Sequence, residues 1–285
     1  MNIYILYTII GQVIWGLQPL FWANLRDIPS LYILATRIVW AAVFCYGLIV
    51  YKKLLPELRS VRTLQNEWAF MIGACLAVTM NWGAFIYAMT HDAIIQTSLA
   101  YFMSPIVVIL CGALIYHERL GKLQLAAIAF ASTGLLIAFI VYGQIPYLAM
   151  FLCITWAAYS LLKKRISINS QVSVFLESVA MVPFSLVFIA YSEMTQTGAS
   201  TVLSGWAWLL LPATGIITAT PMIFFTAGIQ GTPITISGIL MYLAPSISLT
   251  IGLLKGELLT PPLAITFCFT WVAVVCYVVG LVRKN

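Results

Sequence analysis

The chain has 285 residues, of which 62% are hydrophobic and 8% charged, with a net charge of +6 and a mean hydropathy of +1.03. Soluble domains carry roughly 25% charged residues, so an ordinary soluble enzyme is excluded and an integral membrane protein is indicated. In such a chain a basic excess reports orientation in the bilayer, and no nucleic-acid partner is expected.

One crossing of the hydrocarbon takes about 20 apolar residues. Apolar segments fall, in chain order, near 3–24, 30–51, 68–90, 93–116, 123–142, 145–162, 171–191, 205–229, 233–254 and 263–282. Backbone polar groups in lipid must bond within the segment, so each is read as a helix. The predicted fold is therefore all-α: a polytopic membrane protein with ten transmembrane helices. The first segment lacks a basic leader and outruns a signal-peptide core, so it is expected to be a span. With the N-terminus in the cytoplasm, the inner connections and C-terminus hold eleven basic residues: Lys52, Lys53, Arg59, Arg62, Arg119, Lys122, Lys163, Lys164, Arg165, Arg283 and Lys284. The outer connections hold Arg26 and Lys255, and Arg37 falls within the second span. That asymmetry places both termini inside. The long inner connection Tyr51–Glu67 carries four basic residues and is expected to rest on anionic membrane lipid. All six cysteines sit in apolar stretches without a C-x-x-C pair, which reads as small buried hydrophobes.

The two halves of the chain echo each other at an offset of about 140 residues. Span four reads Ser98-Leu99-Ala100-Tyr101-Phe102-Met103-Ser104-Pro105, and span nine reads Gly238-Ile239-Leu240-Met241-Tyr242-Leu243-Ala244-Pro245. Glu118 and Glu257 follow at the two helix ends, Trp15 matches Trp156, and Arg37 matches Glu177. Five helices is an odd number, so the second copy enters the membrane inverted. The expected organisation is a five-helix repeat over residues 1–142 and its inverted counterpart over 143–285, an architecture that recurs in secondary transporters.

Arg37 and Glu177 read as the ionisable residues, histidines aside, that lie deep within spans. A charge at the bilayer centre costs about 2.5–3.5 kcal/mol on insertion scales, so neither is expected to face lipid. Three roles fit them: a contact with a charged group on a substrate, an ion pair between them, or proton uptake by Glu177. A fixed structural pair, or Arg37 reaching outward along its stem, fits as well. Trp15, Gln18, Asn81, Trp82, Tyr101, Trp156, Tyr159 and Tyr242 cluster at equivalent mid-span levels, where lipid-facing Trp and Tyr are disfavoured. They are read as lining a wet central substrate site, with helix packing as the competing account. Pro105 and Pro245 occupy equivalent positions and suggest paired hinges or static bends. Ala127, Ala131 and Gly134 form a small-residue stripe suited to close helix packing. His91 and His117 fall at opposite edges, so neither a metal site nor a catalytic residue is expected. No P-loop and no hydrolase signature is present, so no cofactor is expected.

At these residues the chain resembles the RarD-type branch of the EamA family, in the drug/metabolite transporter superfamily. The ordered set is Trp15-Gly16, Pro19, Arg37, Asn81-Trp82, Ser98-Leu99, Tyr101-Phe102, Pro105 and Glu118-Arg119-Leu120 in the first half. In the second half it is Glu177, Gly215, Thr218-Ala219, Pro221, Tyr242, Pro245 and Gly256-Glu257. The chain departs from the pattern at Gln96 for Glu, Ala100 for Gly, Ser104 for Asn and Met241 for Gln, all on spans four and nine. The resemblance implies ten helices and solute translocation in a bacterial inner membrane. The function expected is a secondary transporter that moves a small organic metabolite or drug by alternating access, in the export direction. Helix pairs three–four and eight–nine would move, through the short turns at His91–Asp92 and Gln230–Thr232. The alternative is a flippase for a lipid or lipid-linked metabolite. A homodimer is left open.

Overall fold

The computed structural model describes residues 2–61, 67–90, 94–256 and 261–284. Among them the regular elements are all helical: α1 (Ile3–Trp22), α2 (Ser30–Tyr51), α3 (Leu55–Ser60), α4 (Trp68–Thr90), α5 (Ile94–Ile115), α6 (Lys122–Tyr142), α7 (Tyr147–Lys164), α8 (Ser170–Met194), α9 (Leu210–Gly231), α10 (Ile234–Leu240), α11 (Leu243–Leu254) and α12 (Pro261–Lys284). Within the described residues eight segments are long and apolar enough to cross a membrane: α1, α2, α4, α5, α6, α8, α9 and the α10–α11 pair. Helix α7 is not one of them; two lysines close its last turn. Helix α12 contributes a shorter apolar stretch, Ala264–Gly280.

The ends of the helices follow from local chemistry. The Asn2 side chain accepts from Tyr4 N at the start of α1, and Asn169 does the same for Gln171 N at the start of α8, each satisfying a backbone donor that has no intrahelical partner. Gly143, at φ +71°, closes α6 in the left-handed conformation that a residue without Cβ adopts freely. Tighter bonds join the ladder where α10 meets α11: Met241 N donates to Gly238 O as well as to Ser237 O, and Tyr242 N to Ile239 O. Pro245 lies one turn on and has no N–H for Met241 O. Helix α5 runs without interruption through Pro105, so the two matched prolines differ in outcome.

Helix α6 packs along α12, α2 along α8, and α5 beside α10. Helix α1 packs on α9 and α11, while α7 packs on α4 and α5. Helix α2 also packs extensively on α9, whereas α4 meets α8 only lightly. The small-residue stripe lies at the α6–α12 contact. A Cβ on Gly134 would sit 2.6 Å from Phe269 Cβ, so glycine sets that helix separation. Cys45 and Cys153 are buried; Cys268 faces outward on α12, against the expectation of a buried thiol, and all six cysteines are unpaired.

One end of the bundle is tied together. Lys164 Nζ donates to Ile229 O at 2.9 Å and Thr232 O at 2.6 Å. Gln230 Nε2 returns bonds to Ile166 O and Ile168 O. The Glu118 carboxylate accepts from Ile234 N at 2.7 Å, Thr235 N at 2.9 Å and Thr235 Oγ1 at 2.6 Å, so the connection after α5 caps the first turn of α10. Glu57, in α3, accepts from Asn169 N at 2.5 Å. The ends of α2, α5, α7 and α9 and the starts of α8 and α10 thus meet on one side, called the clamp side below. Expectations concerning Glu257, Arg62 and the His91–Asp92 turn fall outside the described residues, as does the side chain of Gln96.

Candidate functional site

The expected site residues separate into three groups. The first is aromatic and joins the two halves of the chain. The Trp15 ring on α1 meets that of Trp156 on α7 at 5.6 Å, edge to face. Trp156 is 5.3 Å from Tyr159 and stacks on Phe225 of α9 at 5.5 Å with 23° between planes. Phe225 also meets Trp15 at 5.2 Å. Phe225 was not among the sequence candidates, because a fully buried Phe in an apolar run carries no signal beyond core packing.

Below this cluster, toward the clamp side, lies a buried ionic network. Lys163 Nζ is 2.6 Å from Glu177 Oε1, with both side chains excluded from solvent. It also donates to Ser173 Oγ at 2.5 Å and lies 5.5 Å from the Tyr159 ring centroid. Tyr159 OH donates to Glu177 Oε2 at 3.2 Å. The sequence places Lys163 in a solvated connection; the structure places it in the last turn of α7 at 0% exposure. Tyr159 and Lys163 are four residues apart and share a helix face, and the α7–α8 turn brings Glu177 to that face. Every charged atom has a partner, which makes burial tolerable. Arg37 and Glu177 do not pair.

The second group is Arg37 of α2, Trp82 of α4 and Tyr101 of α5. The Arg37 guanidinium carbon lies 5.2 Å from the Trp82 ring centroid, a cation–π contact. Its Nε is buried without a hydrogen-bond partner. Tyr101 is 52% exposed and close enough to Arg37 to interact electrostatically. Arg37 and Tyr101 each lie seven residues into their helices and Trp82 lies eight from the end of α4, a depth of about 10–12 Å at 1.5 Å per residue. These three occupy the half of the bundle opposite the clamp.

The third group ties helices together. Gln18 Nε2 donates to Ile217 O at 2.8 Å, and its Oε1 accepts from Trp22 Nε1. Ile217 O is the carbonyl that Pro221, four residues on, leaves without an N–H. Asn81 Nδ2 donates to Leu152 O at 2.8 Å and Thr155 Oγ1 at 3.0 Å. Tyr242 is buried, and its OH donates to Phe102 O at 3.1 Å. The side-chain groups of these three are engaged with protein partners. Ala100, Ser104 and Met241 are likewise buried. A cavity of about 360 Å³ lies at the clamp side between α1, α2, α8 and α9, lined in part by Phe44, Lys52, Gln171 and Phe224. None of the expected residues lines it.

Residues 2–140 match the EamA-like transporter family. The chain is 34% identical to the transporter YojE of Bacillus subtilis (strain 168), covering 98% of this chain and 94% of that one. It is 31% identical to the protein RarD of Streptomyces exfoliatus, covering 95% and 86%. A solved crystal structure superposes with a TM-score of 0.77 over 99% of both chains at 17% identity, a likeness of fold. The two relatives and the solved structure match nearly the whole chain, and the described residues form a bundle with eight membrane-length helices and no strands. This chain is a multi-pass membrane protein that belongs to the EamA-like transporter family, in its RarD-type branch.

Proposed function

We propose that the chain is a secondary transporter that moves a small organic metabolite or drug by alternating access between two inverted five-helix repeats, residues 1–142 and 143–285. The observation that carries this reading is the pairing of helix contacts under exchange of the halves. The contact of α1 with α9 has its counterpart in that of α7 with α4, and α1 with α11 in α7 with α5. The contacts of α2 with α8, α6 with α12 and α5 with α10 map onto themselves. Trp15 and Trp156, equivalent in the two repeats, touch. Such a scaffold has two near-equivalent arrangements that expose a central site to either face. In this reading the ten-helix chain sits in a bacterial inner membrane with both termini cytoplasmic, the clamp side inside, and transport runs outward. The Trp15, Trp156 and Tyr159 rings form the floor of the site, and Arg37, Trp82 and Tyr101 form its mouth. Gln18, Asn81 and Tyr242 hold its walls, and Pro105 and Pro245 lie at the bending levels. No enzymatic step is assigned.

The test is a thermal-unfolding screen of the purified protein against metabolites and drugs, followed by efflux of each hit from loaded proteoliposomes. A solute at a hundred times its Kd stabilises the folded state by about 2.7 kcal/mol. The expected result is a soluble solute that stabilises the protein, is transported, and does neither with Trp156→Ala. Stabilisation by phospholipids alone, with lipid movement between leaflets, would replace this reading with a flippase.

A further inference from the structure

The interior charges of the bundle do not balance, and the imbalance is local. Glu177 is neutralised by Lys163, and Tyr159 and Ser173 add one hydrogen bond to each member of that pair. Both lie toward the clamp side, since α8 starts where α2 ends: Lys52, Asn169 and Gln171 line one cavity there. Arg37 lies in the opposite half. Among the described residues it makes no ion pair and no hydrogen bond; its contact is the Trp82 face. Tyr101, the group nearest it electrostatically, is an uncharged phenol.

A guanidinium remains protonated under all ordinary conditions, so this half of the bundle carries a standing positive charge. Trp82 lies against the guanidinium, whose Nε–H is buried with no acceptor. A guanidinium is a planar fork matched to the two oxygens of a carboxylate. Tyr101 is half exposed although it lies seven residues into its helix, so protein leaves part of its ring uncovered beside Arg37. A cationic solute would meet repulsion here, and a neutral one would leave the charge uncompensated.

Resting on the transport function proposed above, we propose that the substrate is an organic acid: Arg37 binds its carboxylate, and Trp82 and Tyr101 hold a planar apolar body beside it. Arg37 is thereby the residue that selects for charge, and the aromatic pair selects for shape.

The test uses the full-length protein in detergent and three probes, benzoate, phenylacetate and indole-3-acetate. Each is compared at equal concentration with its amide and with the corresponding amine. At least one carboxylate raises the melting temperature, while its amide binds at least about tenfold more weakly, the loss expected when a charge-assisted bidentate contact is removed. Arg37→Gln abolishes the shift and Arg37→Lys retains part of it. Without ligand, Arg37→Gln melts cooperatively at or above the wild-type temperature, because it removes an uncompensated charge, breaks no ion pair and gives up only the Trp82 ring contact; an arginine serving the fold would lower it. Equal shifts from acid and amide, no shift from any acid, or a shift that survives Arg37→Gln would each overturn the assignment. Solutes that bind only as amides or amines, and lose binding with Trp156→Ala, would overturn the organic-acid class and leave the transporter standing. Shifts from phospholipid alone would overturn the transport reading itself.

Discussion

Lys163 and Glu177 show how one pair sets the terms for a mutation. Both side chains are shut off from solvent at 2.6 Å separation; Ser173 accepts a further bond from Lys163, and Tyr159 donates one to Glu177. Removing one partner leaves the other charge buried and unpaired, which costs about 3–5 kcal/mol, whereas replacing both by apolar residues of similar volume is often neutral. Glu177→Gln alone is therefore expected to lower the melting temperature and to lose transport through lost stability as well as lost chemistry. Lys163→Met alone has the same effect, and the double variant Lys163→Met/Glu177→Leu recovers most of the loss. The readout is a double-mutant cycle on thermal unfolding, with strict additivity as the result that would remove the pair from the account. The sequence sets Glu177 apart as a deep ionisable residue, but the protein partner it offers for the glutamate, among several roles, is Arg37. Lys163 ends an apolar run and so reads as an anchor at the membrane surface. No helical period connects positions 163 and 177, because their meeting depends on the turn between α7 and α8.

At the scale of elements, the helices were legible because twenty-residue apolar runs and their caps are local properties. The predicted 30–51 and 68–90 segments coincide with α2 and α4. What happens at a proline was not legible, because the partner of the freed carbonyl comes from elsewhere in the chain. Pro105 and Pro245 break the same local rule, yet α5 continues while α10 and α11 separate at Met241–Tyr242. Tyr242 OH bonds to Phe102 O, within the turn that Pro105 weakens, so one helix yields where it braces the other. Pro221 illustrates the same physics with a side chain. Gln18 Nε2 occupies the acceptor at Ile217 O, and α9 stays continuous. Gln18→Leu leaves that carbonyl without its donor and is expected to cost about 1–3 kcal/mol, the penalty for an unsatisfied buried polar group. In a Pro221→Ala background the helix regains its own N–H at that carbonyl, so the same Gln18→Leu change becomes nearly neutral. Chemical denaturation of the four proteins measures this directly. An equal loss in both backgrounds would mean that Gln18 acts through a contact other than Ile217.

The molecule as a whole is asymmetric in a way that two equivalent halves do not require. Helix α2 packs extensively on α9, but the counterpart contact of α4 with α8 is light. At the clamp side Lys164, Gln230 and Glu118 bind the α9–α10 connection to the turns after α7 and α5. At the opposite side Tyr101 stands half exposed beside Arg37. Under the alternating access proposed above, the clamp would be the closed gate, and the half around Arg37 and Tyr101 the one open to its face of the membrane. Glu118 is the residue on which the clamp is most exposed to test, since its carboxylate supplies three acceptor contacts to the start of α10. Hydrogen bonds to a charged group contribute about 1.5–3 kcal/mol, enough to move a two-state equilibrium by roughly tenfold or more. Glu118→Ala should therefore favour opening at the clamp and closure around Tyr101. In a background with the six free cysteines replaced, a Tyr101→Cys reporter in inverted and right-side-out vesicles is labelled by a membrane-impermeant maleimide from the side opposite the clamp. Adding Glu118→Ala slows that labelling several-fold, while a reporter at Gln171, in the cavity beside the clamp, is labelled faster from its own side. Reciprocal changes at the two reporters are what a rocking carrier demands. A change at Gln171 with none at Tyr101 would mean that the clamp opens locally and that the two gates are not coupled.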